Sequence, residues 1–339
     1  MPAYFGLDIG SYSIKLIEAE KKGQEYILSA IGEIRTPADI NSEAEKDKLA
    51  LAEAIKKLAN DCKTTTKNVS LSLSEKEVYS QVIELPSLSE RELASAIHFE
   101  AEQYIPVPLT EVQLEYIILK SPAKGTLNEK TKVLLVAAKK RSLDKMVEIV
   151  EKSGLVPVAV ETETLSIIRS LNLDKSKTGL VLDLGYRSTD IFIVKEQNPQ
   201  FIRPLDIGGE TLTRVVGEAL NMEVLQAEQY KIAYGLDESH LEGKVAKAIL
   251  SIFGVVLEEI KKAITFFNQN QLEKKVEFIV LTGGGAGMPG LSAFLTKNLD
   301  LEVVMADPFF KFVKDERLSK IKDIPKWCIA AGLVAKNDE

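Results

Sequence analysis

Cysteine and histidine are scarce in this 339-residue chain, which holds Cys62 and Cys328, His98 and His240. Two cysteines without paired spacing support neither a disulfide framework nor a thiolate metal site. The two isolated histidines receive no role. No apolar run approaches the roughly 20 residues that cross a bilayer, and the opening Met-Pro-Ala-Tyr-Phe-Gly-Leu-Asp lacks the basic and apolar regions of a signal peptide. A cytoplasmic address without direct membrane insertion is the expectation. Long runs of one charge are also missing: basic residues mostly interleave with acids, as in Lys314-Asp315-Glu316-Arg317, and the net charge is −7. That excludes the basic footprint of a nucleic-acid binder.

What is present is an ordinary globular composition, 45% apolar and 27% charged, in a chain longer than one core usually organises. Two lobes follow. The N-terminal stretch alternates strand and turn: Tyr4 to Asp8, a bend at Ile9-Gly10-Ser11, and a strand from Ser13. A helix is expected over 43–62, with Leu49, Ala52, Ile55 and Leu58 at helical spacing behind the capping box Ser42-x-x-Glu45. A second capping box, Ser89-x-x-Glu92, opens a helix that runs to Tyr104. Strands over 115–119 and 132–138, a helix over 142–154 and a strand over 156–160 complete a helix-strand-strand-helix-strand block. Residues 83–160 thus form an inserted subdomain. A second lobe over 179–317 begins with Leu180-Val181-Leu182-Asp183-Leu184-Gly185, which repeats the strand, Asp-apolar-Gly and hydroxyl pattern of Asp8-Ile9-Gly10-Ser11.

The first bend, Asp8 to Lys15, can aim backbone N–H groups into one concavity, because glycine leaves room for a polyphosphate to approach. Gly10, Ser11 and Tyr12 form the bend, Asp8 is placed to hold a hydrated Mg²⁺, and Lys15 adds positive charge. Taken alone, this is equally a Gly-Ser hairpin with a capping Asp. The second bend, with Asp183 and Gly185, would face it across a cleft and supply the other carboxylate. A third element, Thr282-Gly283-Gly284-Gly285-Ala286-Gly287-Met288-Pro289, ends a strand with consecutive glycines against which an adenine or ribose can lie. It is neither a Walker A loop nor a dinucleotide fingerprint in its usual place. Glu228 and Lys231 share a helix face at i and i+3, suited either to a ribose edge or to a plain surface ion pair.

In this order the motifs resemble the superfamily of actin, sugar kinases and 70-kDa chaperones, with phosphate turns at Asp8–Lys15 and Asp183–Asp190 and an adenosine motif at Thr282–Gly287. The fold this implies is α/β, the duplicated ribonuclease H-like two-lobe fold of actin. The inserted block resembles the 1C-type subdomain of the FtsA and PilM families. Phe99-Glu100-Ala101-Glu102-Gln103-Tyr104-Ile105-Pro106-Val107-Pro108, Asp206-Ile207-Gly208-Gly209-Glu210-Thr211-Leu212 and Ala306-Asp307-Pro308-Phe309 are most similar to PilM. The sequence stops at Glu339 without the linker and amphipathic helix of FtsA.

The resemblance implies subdomain 1A over 1–82, 161–178 and about 318–339, the inserted 1C over 83–160, and a lobe with a small 2B around 212–275. The connecting helices fall at Glu161–Ser170 and Trp327–Lys336. It implies ATP or ADP with Mg²⁺ in the cleft, with Gly208 and Gly209 among the binding residues. It also implies recruitment to the inner membrane by the N-terminal cytoplasmic peptide of PilN, with Leu93, Ile97, Tyr104 and Ile105 as groove residues or as the core of the inserted subdomain. Tyr186-Arg187 stands where chaperones and many kinases carry two glycines, and Glu161 and Glu163 lie near where a water-positioning group is needed. Slow or absent turnover is expected. A filament-forming ATPase like FtsA and a small-molecule kinase are the alternatives.

Overall fold

The computed structural model describes residues 3–88, 90–121, 130–270 and 275–338. Ser89, the proposed start of the second capping box, lies outside them. In the first lobe β1 (Phe5–Ile9) pairs antiparallel with β2 (Ser13–Lys22), which pairs with β3 (Glu25–Arg35). Helix α1 (Glu45–Cys62) follows and leads into β4 (Asn68–Leu73), parallel to β1. Every residue of β1 is buried, as a strand covered on both faces requires. Helix α1 turns Leu51, Ala52, Ile55, Leu58 and Ala59 onto that sheet, while Leu49 faces solvent, so the apolar stripe runs through Leu51 instead. The expected capping box does not form: the helix starts after Ala44, and the Ser42 hydroxyl accepts from the Ala44 N–H at 3.2 Å.

The chain then leaves the lobe to build a three-stranded antiparallel sheet. β5 (Val78–Leu85) precedes α2 (Glu90–Tyr104), and β6 (Val112–Lys120) precedes β7 (Thr131–Lys139), the central strand. Leu93, Ile97 and Ala101 of α2 close a small core with Ile83, Leu85, Val112, Val133 and Leu135. Helix α3 (Lys140–Lys152) and β8 (Val156–Thr162) belong elsewhere. Helix α3 packs beside α1 through Lys48–Glu148 at 2.7 Å and Lys152–Glu45 at 2.8 Å, and β8 joins the first sheet parallel to β4. The self-contained sheet therefore spans 78–139 rather than 83–160. Strand periodicity predicts a strand at 156–160 but not which sheet will pair with it.

Helix α4 (Glu163–Ser170) connects to the second lobe, where β9 (Thr178–Leu184), β10 (Thr189–Lys195) and β11 (Asn198–Leu205) form a meander. Helices α5 (Gly209–Leu220), α6 (Val224–Tyr234) and α7 (Lys244–Asn270) follow, then β12 (Phe278–Thr282), α8 (Leu291–Leu299) and β13 (Glu302–Met305). Strand order is β3-β2-β1-β4-β8 in one sheet and β11-β10-β9-β12-β13 in the other, with matching directions. The faint sequence repeat is thus a full structural duplication. Helices α5 to α7 share one core with the second sheet, through Leu212, Ala227, Phe253 and Phe267 against Leu180, Ile193 and Ile279.

A short helix, α9 (Glu316–Ser319), leads to α10 (Cys328–Val334). Ala330, Ala331 and Val334 of α10 pack on Ile17 of the first sheet, while Cys328 joins Ile167, Ile168, Val181 and Val280 around the second. Helices α4 and α10 are therefore the packed joint between the lobes. This is the actin-like two-lobe α/β fold with an inserted subdomain.

Candidate functional site

A cavity of about 350 Å³ opens between the lobes, a size that suits a small-molecule ligand. The two duplicated hairpins meet there. In each, the glycine N–H closes the bend onto a serine carbonyl, Gly10 to Ser13 at 3.2 Å and Gly185 to Ser188 at 2.9 Å. Asp8 and Asp183 end their central strands and both line the cavity.

The residues opposite them differ. Across the first hairpin Asp8 faces Lys15, and the ammonium donates to the carboxylate at 2.9 Å. Burial disfavours that ammonium, but Asp8, together with Glu33 and Asp183, outweighs it and raises the Lys15 pKa above the ordinary lysine value. At the equivalent place in the second hairpin Asp183 faces Asp190, whose buried Oδ1 has no hydrogen-bond partner. Burial and the Asp8 charge push Asp183 up to about 7, against the pull of Lys15. Burial, then Asp183 and Glu75, likewise raise Asp190 well above the ordinary carboxylate range.

The glycine run after β12 completes the floor. Gly283 has a positive φ of 84°, and a Cβ there would stand 2.6 Å from the Asp183 carboxylate, so only glycine lets this turn pass beneath it. Gly284, Gly285 and Met288 also line the cavity. Gly209, Glu228 and Lys231 form one wall. The Lys231 ammonium is buried and donates to the Gly209 carbonyl at 3.0 Å and Thr213 Oγ1 at 2.9 Å, besides its 2.7 Å pair with Glu228. The pair is therefore a tie between α5 and α6, not a surface ion pair. Gly208 stands outside the cavity lining; a Cβ there would meet the Tyr186 carbonyl at 2.5 Å, so it supports the second bend from behind.

The remaining candidates separate cleanly. Glu161 is committed to Arg169 through two bonds of 2.7 and 2.9 Å and does not line the cavity, whereas Glu163 does. Burial, followed by Asp190, Asp8 and Asp183, raises the Glu163 pKa well above its usual value. Tyr186 packs against Tyr12 with ring centres 5.2 Å apart and planes tilted by 56°, and Arg35 lies 3.6 Å over the Tyr12 ring. Arg187 turns to Asp39 of the first lobe and sits 3.5 Å from Glu210. Of the four groove residues, Leu93, Ile97 and Ile105 are buried in the small core and cannot offer a surface; Tyr104 is exposed. Sequence reasoning missed Lys145 and the Lys326–Glu33 pair at 2.7 Å, all three cavity-lining, because no local motif links residues so far apart in the chain.

The chain matches the family model of the type IV pilus assembly protein PilM over residues 6–337. It superimposes on a solved PilM-PilN type IV pilus biogenesis complex with a TM-score of 0.85 and 26% identity, covering 99% of both chains. MreB5 of Spiroplasma citri bound to AMPPNP shares the fold, with a TM-score of 0.57 and 11% identity over 97% of this chain and 94% of that one. Among curated proteins, the cell division protein FtsA of Borreliella burgdorferi is 23% identical, covering 98% of this chain and 90% of the relative. FtsA of Neisseria meningitidis serogroup B is 27% identical over 64% of this chain, and that match spans 58% of the relative's length. The duplicated sheets, the facing hairpins and the family match together place this chain in the PilM family of actin-like type IV pilus assembly proteins.

Proposed function

We infer that the chain holds ATP with Mg²⁺ in the interlobe cleft and serves as a cytoplasmic component of a pilus assembly complex. In this role the N-terminal cytoplasmic peptide of a PilN partner brings it to the inner membrane. The observation that carries the inference is the meeting of Asp8 and Asp183 at one cavity whose floor is the Gly283-Gly284-Gly285 turn. Among the described residues no group of three or more metal-ligating side chains exists, and in this reading Asp8 and Asp183 would be the donors. That set suits Mg²⁺, which keeps most of its waters and takes one or two carboxylates plus phosphate oxygens. Bound there, the ion would offset the carboxylate repulsion that raises Asp183.

The Gly10 and Gly185 bends would hold the phosphates, Lys15 would add charge, and Glu228 with Lys231 would flank the ribose. A nucleotide touching both lobes stabilises the closed arrangement by its differential affinity for that state. Glu163 is the carboxyl placed to hold an attacking water. Burial and the neighbouring carboxylates raise its pKa, which weakens it as a proton acceptor and favours slow or absent turnover.

For the partner peptide the structure offers an open groove of about 660 Å³ between the inserted sheet and α3. Tyr79, Val107 and Val112 give it an apolar floor, and Lys139, Arg141 and Lys145 give it charge. An extended peptide needs no more than such a floor and backbone partners. The similarity to FtsA keeps self-association into filaments as a second proposal, checked by electron microscopy of the ATP-loaded protein.

The direct test is to denature the purified protein and chromatograph what it releases, then to titrate the emptied protein with Mg-ATP. Release of ATP and a thermal midpoint that rises with Mg-ATP support the site. A protein that carries no nucleotide and whose midpoint ignores Mg-ATP refutes it.

A further inference from the structure

The cleft and the groove share a wall. Lys145 lines both, and the loop that joins β3 to α1 runs along their boundary. Within eight residues this loop touches three parts of the molecule. At its start the Thr36 hydroxyl donates to the Gly10 carbonyl at 2.6 Å and the Thr36 N–H to the Tyr12 carbonyl at 3.1 Å, which ties it to the first phosphate bend. In its middle Asp39 pairs with Arg187 of the second bend, across the mouth of the cleft, while Ile40 and Asn41 line the cavity. At its end Glu43 stands 3.1 Å from Arg141, 3.6 Å from Lys145 and 4.0 Å from Lys48, all of them groove residues.

The loop is also braced against slack. The Asn41 N–H donates to Asp39 Oδ1 at 2.9 Å and the Ser42 N–H to the Asp39 carbonyl at 3.0 Å, so Asp39 is the turn on which the segment bends. Ile40 packs on the first-lobe core. Just before β5, Lys76 makes a second link to the far lobe: it pairs with Asp206 and reaches the Arg187 carbonyl at 3.4 Å. Through these contacts the second lobe touches both the loop and the chain that leads into β5.

We propose that residues 36–43 are a strap that couples cleft closure to the shape of the peptide groove, with the Asp39–Arg187 pair as its attachment to the second lobe. The proposal rests on the reading of the cleft as a nucleotide site and the groove as a peptide site. It adds how the two communicate. Non-glycine residues at Tyr186-Arg187 then have a purpose: glycines could bind phosphate but could not hold the strap. By linkage, the factor by which Mg-ATP changes peptide affinity equals the factor by which peptide changes Mg-ATP affinity.

The test uses the full chain, wild type and Asp39→Asn, which keeps the acceptor for the Asn41 N–H and removes the charge. A fluorescent peptide of the N-terminal cytoplasmic residues of the cognate PilN is titrated with and without Mg-ATP, and amide hydrogen exchange over 39–47 is followed without either ligand. The wild type should show a coupling factor of about fivefold or more. In Asp39→Asn that factor should fall about twofold or more, the Lys76 link remaining, while the peptide alone binds as before, and exchange over 39–47 should quicken about two- to fivefold. Equal coupling factors in the two proteins overturn the strap. A wild type that binds neither ligand overturns the functional reading, and exchange alone then decides: rates over 39–47 unchanged by Asp39→Asn overturn the strap as well.

Discussion

The two hairpins that meet in the cleft have the same backbone and opposite electrostatics. Each ends a buried strand with an aspartate and bends on a glycine bonded to a serine carbonyl. The first then sets a lysine across from its aspartate, and the second sets another aspartate there. Duplication copied the geometry of the bend without copying its charge balance. The first hairpin carries its own countercharge, while the second sets no cation across from Asp183. A ligand that brings positive charge to Asp183 does more for the second lobe than for the first. On this view an ATP-Mg²⁺ complex is matched to the asymmetry and not merely to the size of the cavity.

The largest expected effect breaks the first hairpin. Asp8→Ala leaves the buried Lys15 ammonium without its 2.9 Å partner, and losing one member of a buried pair costs about 3–5 kcal/mol. Denaturant unfolding of the nucleotide-free protein reads this directly. The next effect is a pH dependence that belongs to the second hairpin. Asp183 titrates at about 7 in the folded protein, above its unfolded value near 3.9, so the folded state holds a proton that the unfolded chain releases. Stability of the nucleotide-free protein should therefore fall as pH rises from the ordinary carboxylate range through about 7, with Asp190 and Glu163 adding in the same direction. Thermal midpoints across that window check it, and Mg-ATP should flatten the slope.

A smaller effect sharpens the contrast. Asp190→Asn replaces a buried carboxyl whose ionisation burial and Asp183 oppose, and should raise stability by about 1 kcal/mol at alkaline pH. The equivalent change at Lys15 should lower it, so the signs of the two substitutions separate the hairpins. The smallest effect lies at the cleft mouth. The Arg187–Asp39 pair is partly exposed, so Arg187→Ala should cost about 0.2–1 kcal/mol, and less in high salt.

Both hairpins and the glycine turn were legible in the sequence because each is a local pattern: a strand, an acid at its end and a glycine where the chain must bend. The actin-like fold followed from their order. Properties set by pairing over long distances were not legible. The helical spacing of Leu93, Ile97 and Ile105 shows an apolar face but not what covers it, and the structure turns that face onto its own small sheet. β8 reads as a strand in either sheet until β4 is seen to pair with it. The Ser42 capping signal met a local competitor, since its hydroxyl serves the loop that leads into α1. Lys145 and the Lys326–Glu33 pair reach the cavity only through packing of the lobes. The role of Arg187 could not be read from its neighbours, because its partner Asp39 lies in the other lobe.

The most direct measurement is a crystal structure of the protein with Mg-AMPPNP. The account predicts one magnesium whose water shell touches both Asp8 and Asp183, phosphates against the Gly10 and Gly185 bends, and the adenosine over Gly283 to Gly285. A nucleotide bound elsewhere, or a metal held by one lobe alone with the other hairpin turned away, would contradict it.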